Sequence, residues 1–339
     1  MHAAWTVRIA VATVTPLVRL SVFFFAILVV SIWPRYSCAA PIAIAVSRNP
    51  IGLPVFLAVD QGFFKDEGLD IKAIDCFPGK QCLKLLLEDK AQFATVASTP
   101  IVAASFTRSD FVILATISSS SNDSKLIVRK SAHITSAKDL IGKRIGVIKG
   151  TTAEFFLDSF LLFYGVDPAE VKLVDKLADA LPASIKTGEV DAITAFEPSA
   201  YKAVTLLGDD AMVLPNPRIF TTAFNIVAQR RLVGTSDADI TKILRAIARA
   251  NQFIKSNPAE AKRLMQKNFN ASEAFTSAIW PDIDYTMSLD QSFLKSLENE
   301  ARWMAEKNSV VDQKPRNFLD IIYAKPLRQL FPKSVTLVN

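Results

Sequence analysis

Short apolar, β-branched runs alternate with segments of helical period along most of this chain. Residues 42–46, 69–74, 93–96 and 111–117 read as strands. Between the first two, Gly52-Leu53-Pro54 opens a short helix that ends near Gly62. Residues 80–88 set Leu83, Leu86 and Leu87 on one helical face. Thr99-Pro100 supplies an N-cap followed by a proline at the first helical position. Strict alternation of strand and helix predicts a mostly parallel sheet with helices on its faces.

A polar stretch, "SSSSNDS" (residues 118–124), interrupts the pattern and reads as a connection. A second alternating run follows, with strands expected at 126–128, 144–148, 171–174, 190–195 and 221–228. From there the pattern turns all-helical. Ile240, Ile243, Leu244, Ile247 and Ile254 keep helical spacing, Asn257-Pro258-Ala259-Glu260 restarts a helix, and residues 287–307 read as another. The chain is expected to fold as two α/β units with a helical C-terminal tail, without solenoid repeats.

Composition changes the picture at the N-terminus. Residues 1–39 hold three arginines (Arg8, Arg19, Arg35) and no acidic residue, and residues 20–33 form a mostly apolar run of 14. That run is short for a membrane span and suits a signal-peptide core, with Ser37-Cys38-Ala39 offering small residues for cleavage after Ala39. A lipid anchor on Cys38 is disfavoured by Arg35, where an aliphatic residue would be needed. The mature chain is then 300 residues, and its net charge falls from +6 to 36 − 33 = +3. Scattered basic residues and mild charge argue against a nucleic-acid partner. Two cysteines remain, Cys76 and Cys82 in "CFPGKQC". In an oxidising compartment they are either bridged or two buried thiols.

Catalytic chemistry finds little support. The mature chain has one histidine, His133, in the polar stretch "KSAHITSAK". There is no HExxH, GxSxG, Walker A or GxGxxG sequence. No enzyme activity, metal or cofactor is expected. What recurs is a helix start facing a strand end, at Pro78-Gly79-Lys80, Ser98-Thr99-Pro100 and Gly150-Thr151-Thr152. The last opens "GTTAEFF", where Thr151 and Glu154 match a capping box. Any one of these is explained as a helix cap. Three, spread over two units, favour a shared cleft in which backbone N–H groups and hydroxyls meet an anion or a carbonyl-like acceptor.

The segments "DQGFFKDEGLDIKAI", "ASTPIVAA", "AKDLIGKRIGVIKGTT", "KTGEVDAITAFEPSAY" and "MSLDQSFLKSLENEARWMAE" together resemble the nitrate/sulfonate/taurine group of periplasmic substrate-binding proteins, whose superfamily includes thiamine-pyrimidine binders. The likeness spans roughly residues 42–310. It implies a type II periplasmic-binding fold: a signal segment (1–39), a first lobe (40–120), a second lobe (121–222), and a mostly helical return to the first lobe (223–339). Hinge crossovers are implied near residues 118–125 and 220–224. It further implies a monomer in the periplasm that captures a small solute by closure and hands it to an ABC permease. From their own positions at strand ends, helix starts and the first crossover, the ligand-binding candidates are Gly79, Lys80, Ser98, Thr99, Ser118, Ser119, Gly150, Thr151, Thr152 and Glu197. Glu154 and Glu197 complicate an anion reading. Anion, zwitterion and neutral heterocycle stay open, with a small organic anion ahead. The alternatives are a periplasmic sensor and a thiamine-pyrimidine synthase. The synthase reading lacks its cysteine-rich run here, and His133 lies outside the expected cleft segments.

Overall fold

The computed structural model describes residues 40–307 and 317–338. The expected signal segment and Cys38 lie outside the described residues. Strands β1 (Ile42–Ser47), β2 (Ile71–Cys76), β3 (Phe93–Ala97) and β4 (Phe111–Ser120) begin the first sheet. The chain then crosses to a second sheet made of β5 (Ser124–Arg129), β6 (Arg144–Val147), β7 (Lys172–Asp175), β8 (Ala192–Phe196) and β9 (Ala211–Val213). It returns as β10 (Thr222–Gln229) and β11 (Ile283–Asp284), completing the first sheet. The strand orders are β11-β4-β10-β3-β1-β2 and β7-β6-β8-β5-β9.

Twelve helices cover these sheets among the described residues. The first lobe starts with α1 (Leu53–Asp60), α2 (Phe63–Asp66), α3 (Gly79–Leu87) and α4 (Ser98–Ser105). The second carries α5 (Thr152–Phe163), α6 (Leu181–Thr187) and α7 (Ser199–Leu207). The returning chain adds α8 (Asp237–Ser256), α9 (Pro258–Phe269), α10 (Glu273–Ile279), α11 (Gln291–Glu306) and α12 (Lys325–Leu330). These late helices share one apolar core with β1, β3 and β4, so the helical tail is part of the first lobe. Arg245 and Arg249 on α8 pair with Glu67 and Asp66 at α2. In the second lobe the strand alternation shows directly. Leu126 and Val128 of β5 face one apolar cluster and Ile127 faces the other, so helices bury both sides of the sheet.

Two expectations are corrected. The sheets are mixed: β10 runs antiparallel to β3 and β4, and β5 antiparallel to β8 and β9. Apolar runs report burial and carry no direction; direction follows from the two crossings between lobes. The serine run is also not a loop. β4 continues through Ser120, because Ser118 is fully buried and donates to the Ile51 carbonyl at 2.5 Å. A hydroxyl satisfied this way costs a strand little. Only residues 121–123 form the first crossover, and residues 214–221 form the second. At the far end, the helix expected from residue 287 begins at Gln291. Ser288 is drawn into a bridge with Thr116, and Asp290 caps the helix by accepting from the Phe293 amide at 2.9 Å.

Candidate ligand-binding site

Four strand-to-helix junctions converge where the crossovers lie. β2 ends at Cys76 and α3 begins at Gly79; β3 ends at Ala97 and α4 begins at Ser98. In the other lobe β6 leads through the Gly150 turn into α5, and β8 leads through Glu197-Pro198 into α7. Each junction is the carboxyl end of a strand and the positive end of a helix, where α/β sheets hold ligands. The junctions enclose a cavity of about 20 Å³, room for roughly one water. The lobes are therefore described in a closed arrangement.

Of the residues expected in the site, four line this cavity: Gly79 and Lys80 from the first lobe, Thr151 and Thr152 from the second. Gly79 is required sterically, since a Cβ there would meet Val96 Cα at 3.2 Å. Its lack of a side chain lets α3 press its first turn against the end of β3. Cys76 and Cys82 are joined in a disulfide with Cα atoms 5.4 Å apart, which ties the end of β2 to that same turn. Lys80 Nζ spans the lobes and donates to the Lys149 carbonyl at 3.0 Å. Gly150 adopts φ +69°, the left-handed region that favours glycine, and a Cβ there would lie 3.0 Å from Lys80 Nζ.

The hydroxyls of the α5 turn divide their roles. Thr151 occupies the N-cap position, yet its Oγ1 donates to the Ile148 carbonyl at 2.7 Å and makes no cap bond. Thr152 is 3% exposed, faces the cavity, and its hydroxyl makes no hydrogen bond among the described residues. The capping box is displaced by one residue: Glu154 accepts from the Gly150 amide at 2.7 Å, where the N-cap amide was expected. Its other oxygen pairs with Lys307, so Glu154 does not carry an unbalanced charge toward the cavity.

The remaining candidates lie elsewhere. Ser98 is fully buried and donates to Glu300 Oε1 at 2.6 Å; Thr99 beside it is also fully buried. Ser118 is engaged by Ile51, and Ser119 opens onto a separate groove beside α5 and α11. Glu197 accepts from Lys125 Nζ at 2.8 Å and from the Tyr201 amide at 3.0 Å, which makes it a cap for α7. At α4 the wall comes from Ala97 and Pro100.

Three polar wall residues escaped the sequence reading. Asn49 accepts from the Gly52 amide, Thr222 stands at the start of β10, and Asp123 sits in the first crossover. Asp123 is 8% exposed, and burial pushes its carboxyl up to about 7, with the Lys125 charge and a hydrogen bond from the Glu197 backbone amide opposing and the Glu197 charge reinforcing the shift. The only available signal was positional, since the crossover expected at 118–125 already contained it.

Outside the cavity, Lys80, Lys84, Arg108, Lys149 and Lys176 face one groove with Glu88 and Asp175, and three of these cations are paired: Lys84 with Glu88, Arg108 with Asp110 and Lys176 with Glu189. Across the lobes, Lys307 on the first binds Glu154 and Asp158 on the second, and Trp303 Nε1 donates to Asp158 at 2.8 Å. Burial raises the Asp158 carboxyl, with the Lys307 ammonium pulling against it. Burial also works against the Lys307 charge, but its hydrogen bonds to Asp158 and Glu154 outweigh that and hold its pKa above the ordinary value.

Two α/β lobes joined by two crossovers, with a cavity at strand ends of both, define a periplasmic-binding-protein fold. The chain belongs to the NMT1/THI5-like family, whose model matches residues 49–261. A Bacillus subtilis protein named for binding aliphatic sulfonates is 24% identical over 218 residues, which is 62% of this chain and 65% of that protein. The taurine-binding periplasmic protein of Escherichia coli is 27% identical over 155 residues, 46% of this chain and 47% of its own length. The chain thus matches less than two thirds of the length of either curated relative. The alkanesulfonate-binding protein SsuA of Xanthomonas axonopodis pv. citri, bound to MOPS, shares the fold with a TM-score of 0.75 at 17% identity, covering 84% of this chain and 98% of SsuA.

Proposed function

We propose that this chain is an extracytoplasmic solute-binding protein that closes on a small anionic solute of sulfonate type and delivers it to an ABC permease. The observation that carries this reading is the cavity itself: the N-termini of α3, α4 and α5, from both lobes, meet there beside Lys80 and the unbonded Thr152 hydroxyl. Helix N-termini and an ammonium favour negative charge. The two crossovers serve as hinges, and opening them enlarges a cavity that holds only a water when shut. A periplasmic placement is supported by the N-terminal sequence and by the periplasmic protein among its relatives. Among the described residues lining the cavity none forms a nucleophile–base pair, and on this reading the solute is held and released unchanged.

Calorimetric titration with taurine, ethanesulfonate and nitrate tests the binding reading, with small-angle scattering before and after. Saturable binding accompanied by compaction, with the solute recovered intact, supports it. Chemical alteration of the bound solute overturns the transport reading, and so does failure of the loaded protein to stimulate ATP hydrolysis by its membrane permease.

A further inference from the structure

We infer that Glu300 sets the charge of the binding site from behind its wall, so that a solute anion is captured together with a proton on that carboxyl. This rests on the solute-binding reading and adds the proton to it as a second, linked ligand.

The geometry starts at the first turn of α4. Ala97 and Pro100 line the cavity, and between them Ser98 and Thr99 are fully buried. Ala97 holds the N-cap position, so the amides of this turn have no side-chain cap. Behind the turn, Ser98 Oγ donates to Glu300 Oε1 at 2.6 Å, while Glu300 Oε2 and the Thr99 hydroxyl make no hydrogen bond among the described residues. Glu300 is fully buried, and its carboxyl stands one residue's thickness from the cavity, at the positive end of a helix. The other acids around the cavity are offset. Glu154 pairs with Lys307, Glu197 pairs with Lys125, and Asp123 accepts from the Glu197 backbone amide beside the Lys125 charge.

No cation offsets Glu300 among the described residues. α4 presents only the Ser98 and Thr99 hydroxyls to it. On α11 itself, Leu297, Ala301 and Met304 enter the apolar core, and Lys295, Glu298, Arg302 and Glu306 are exposed. Lys307, farther along, is committed to Glu154 and Asp158 of α5. The turn Phe318–Ile321 packs on α11 with Asp320 as its one charged residue, and that side chain is exposed. Burial pushes the Glu300 carboxyl up to about 7, with the Ser98 and Thr99 hydroxyls opposing. A fully buried carboxylate with one hydroxyl donor is costly, and a proton from solvent removes that cost.

An anion in the cavity and an ionised Glu300 repel one another across the first turn of α4, in surroundings that screen far less than water. The bound anion therefore strengthens the hold of Glu300 on a proton. Below about 7 the carboxyl is already neutral, and binding moves no proton. Above about 7 binding draws a proton from solvent, so affinity falls as pH rises, until the bound form ionises as well. In its neutral form Glu300 leaves the positive end of α4 to the solute. Once ionised, it opposes that end from inside the protein.

The test is calorimetric titration of the full mature chain with ethanesulfonate and with nitrate, in buffers of differing ionisation enthalpy, from about pH 6 to about pH 8.5. Affinity should fall by about threefold to tenfold across that range, with net proton uptake at the upper end and none at the lower. E300Q should bind with little dependence on pH, without proton uptake, and tighter than the wild type at about pH 8.5. A gain of affinity does not come from damage to the fold, and the wild-type proton count needs no variant. Asp123 titrates in the same range and serves as the control, so uptake should persist in D123N. Uptake kept by E300Q and lost from D123N, or a wild type without any linkage, overturns the role of Glu300 and leaves solute binding standing. Failure of both anions to bind overturns the anion reading on which this inference rests.

Discussion

Lys307 at the C-cap of α11 holds Asp158 on α5 at 2.6 Å, and the same ammonium reaches Glu154 at 2.8 Å. This joins the two lobes through buried charges, and Glu154 continues the connection to the Gly150 amide beside the cavity. Removing the cation leaves two carboxylates facing one another with little solvent. Breaking a buried pair from one side costs about 3–5 kcal/mol. A hinged protein can avoid that cost by opening, which rehydrates both acids. Lys307→Met is therefore expected to lower solute affinity by about tenfold or more while lowering the melting point of the empty protein only slightly. Scattering should show a larger radius of gyration in the variant. A compact variant with native affinity would remove the clamp from the account.

The α5 turn offers a paired comparison. Thr152→Ala removes a cavity-facing hydroxyl with no internal partner, and affinity should fall by about 0.5–1.5 kcal/mol with stability unchanged. Thr151→Ala removes a hydroxyl bonded to Ile148, and should lower the melting point while affinity stays close to native. Calorimetry and thermal melts on both variants separate these outcomes. The reverse pattern would exchange their roles.

Glu300 gives a pH dependence. It is fully buried, receives the Ser98 hydroxyl, and leaves Oε2 without a partner. Burial pushes its carboxyl from 4.5 up to about 7, with the Ser98 and Thr99 hydroxyls opposing. The folded state keeps a proton that the unfolded chain releases between those values, so stability falls as pH rises through that window. Glu300→Gln should raise stability by up to about 3 kcal/mol at pH 8 and by almost nothing at pH 4.5. Chemical denaturation across pH checks this, and a gain independent of pH would refute it.

The Cys76–Cys82 bridge closes a short loop at the start of α3. Thiol titration of denatured, unreduced protein should find neither residue free. Replacing both by serine should cost about 2 kcal/mol of stability on the chain-entropy model. Because Gly79 and Lys80 lie inside that loop, affinity should fall as well. Two reactive thiols in the native protein would contradict the pairing.

Much of this fold can be read along the chain because burial and capping are local. Strand cores such as Phe93–Ala97 and the helix start after Ala97 follow from apolar runs and from Pro100. Strand direction was not legible, since β10 looks the same whether parallel or antiparallel to β3. β9 and β11, of three and two residues, are too short to show a period. The cavity wall was legible where a glycine or threonine follows a strand end, as at Gly79 and Thr152. It was not legible at Asp123 and Thr222, which are isolated polar residues that only the double crossing brings together. Ser98 and Ser118 misled because a buried hydroxyl serving Glu300 or Ile51 looks, in sequence, like one available to a ligand.

The position of β10 between β3 and β4 also governs the order in which the molecule can assemble. The second sheet uses strands that are continuous in the chain from Ser124 to Val213, so it has every partner it needs once that stretch has been made. The first sheet has to wait. Until residues 222–229 arrive, β3 and β4 have exposed edges where a strand belongs, a surface prone to pairing with other chains. Closing so distant a contact is slow. A chain crossing a membrane as an unfolded thread would thus complete its second lobe early and keep its first lobe loose until late, and fragments ending before Thr222 should aggregate where the fragment 124–213 stays soluble.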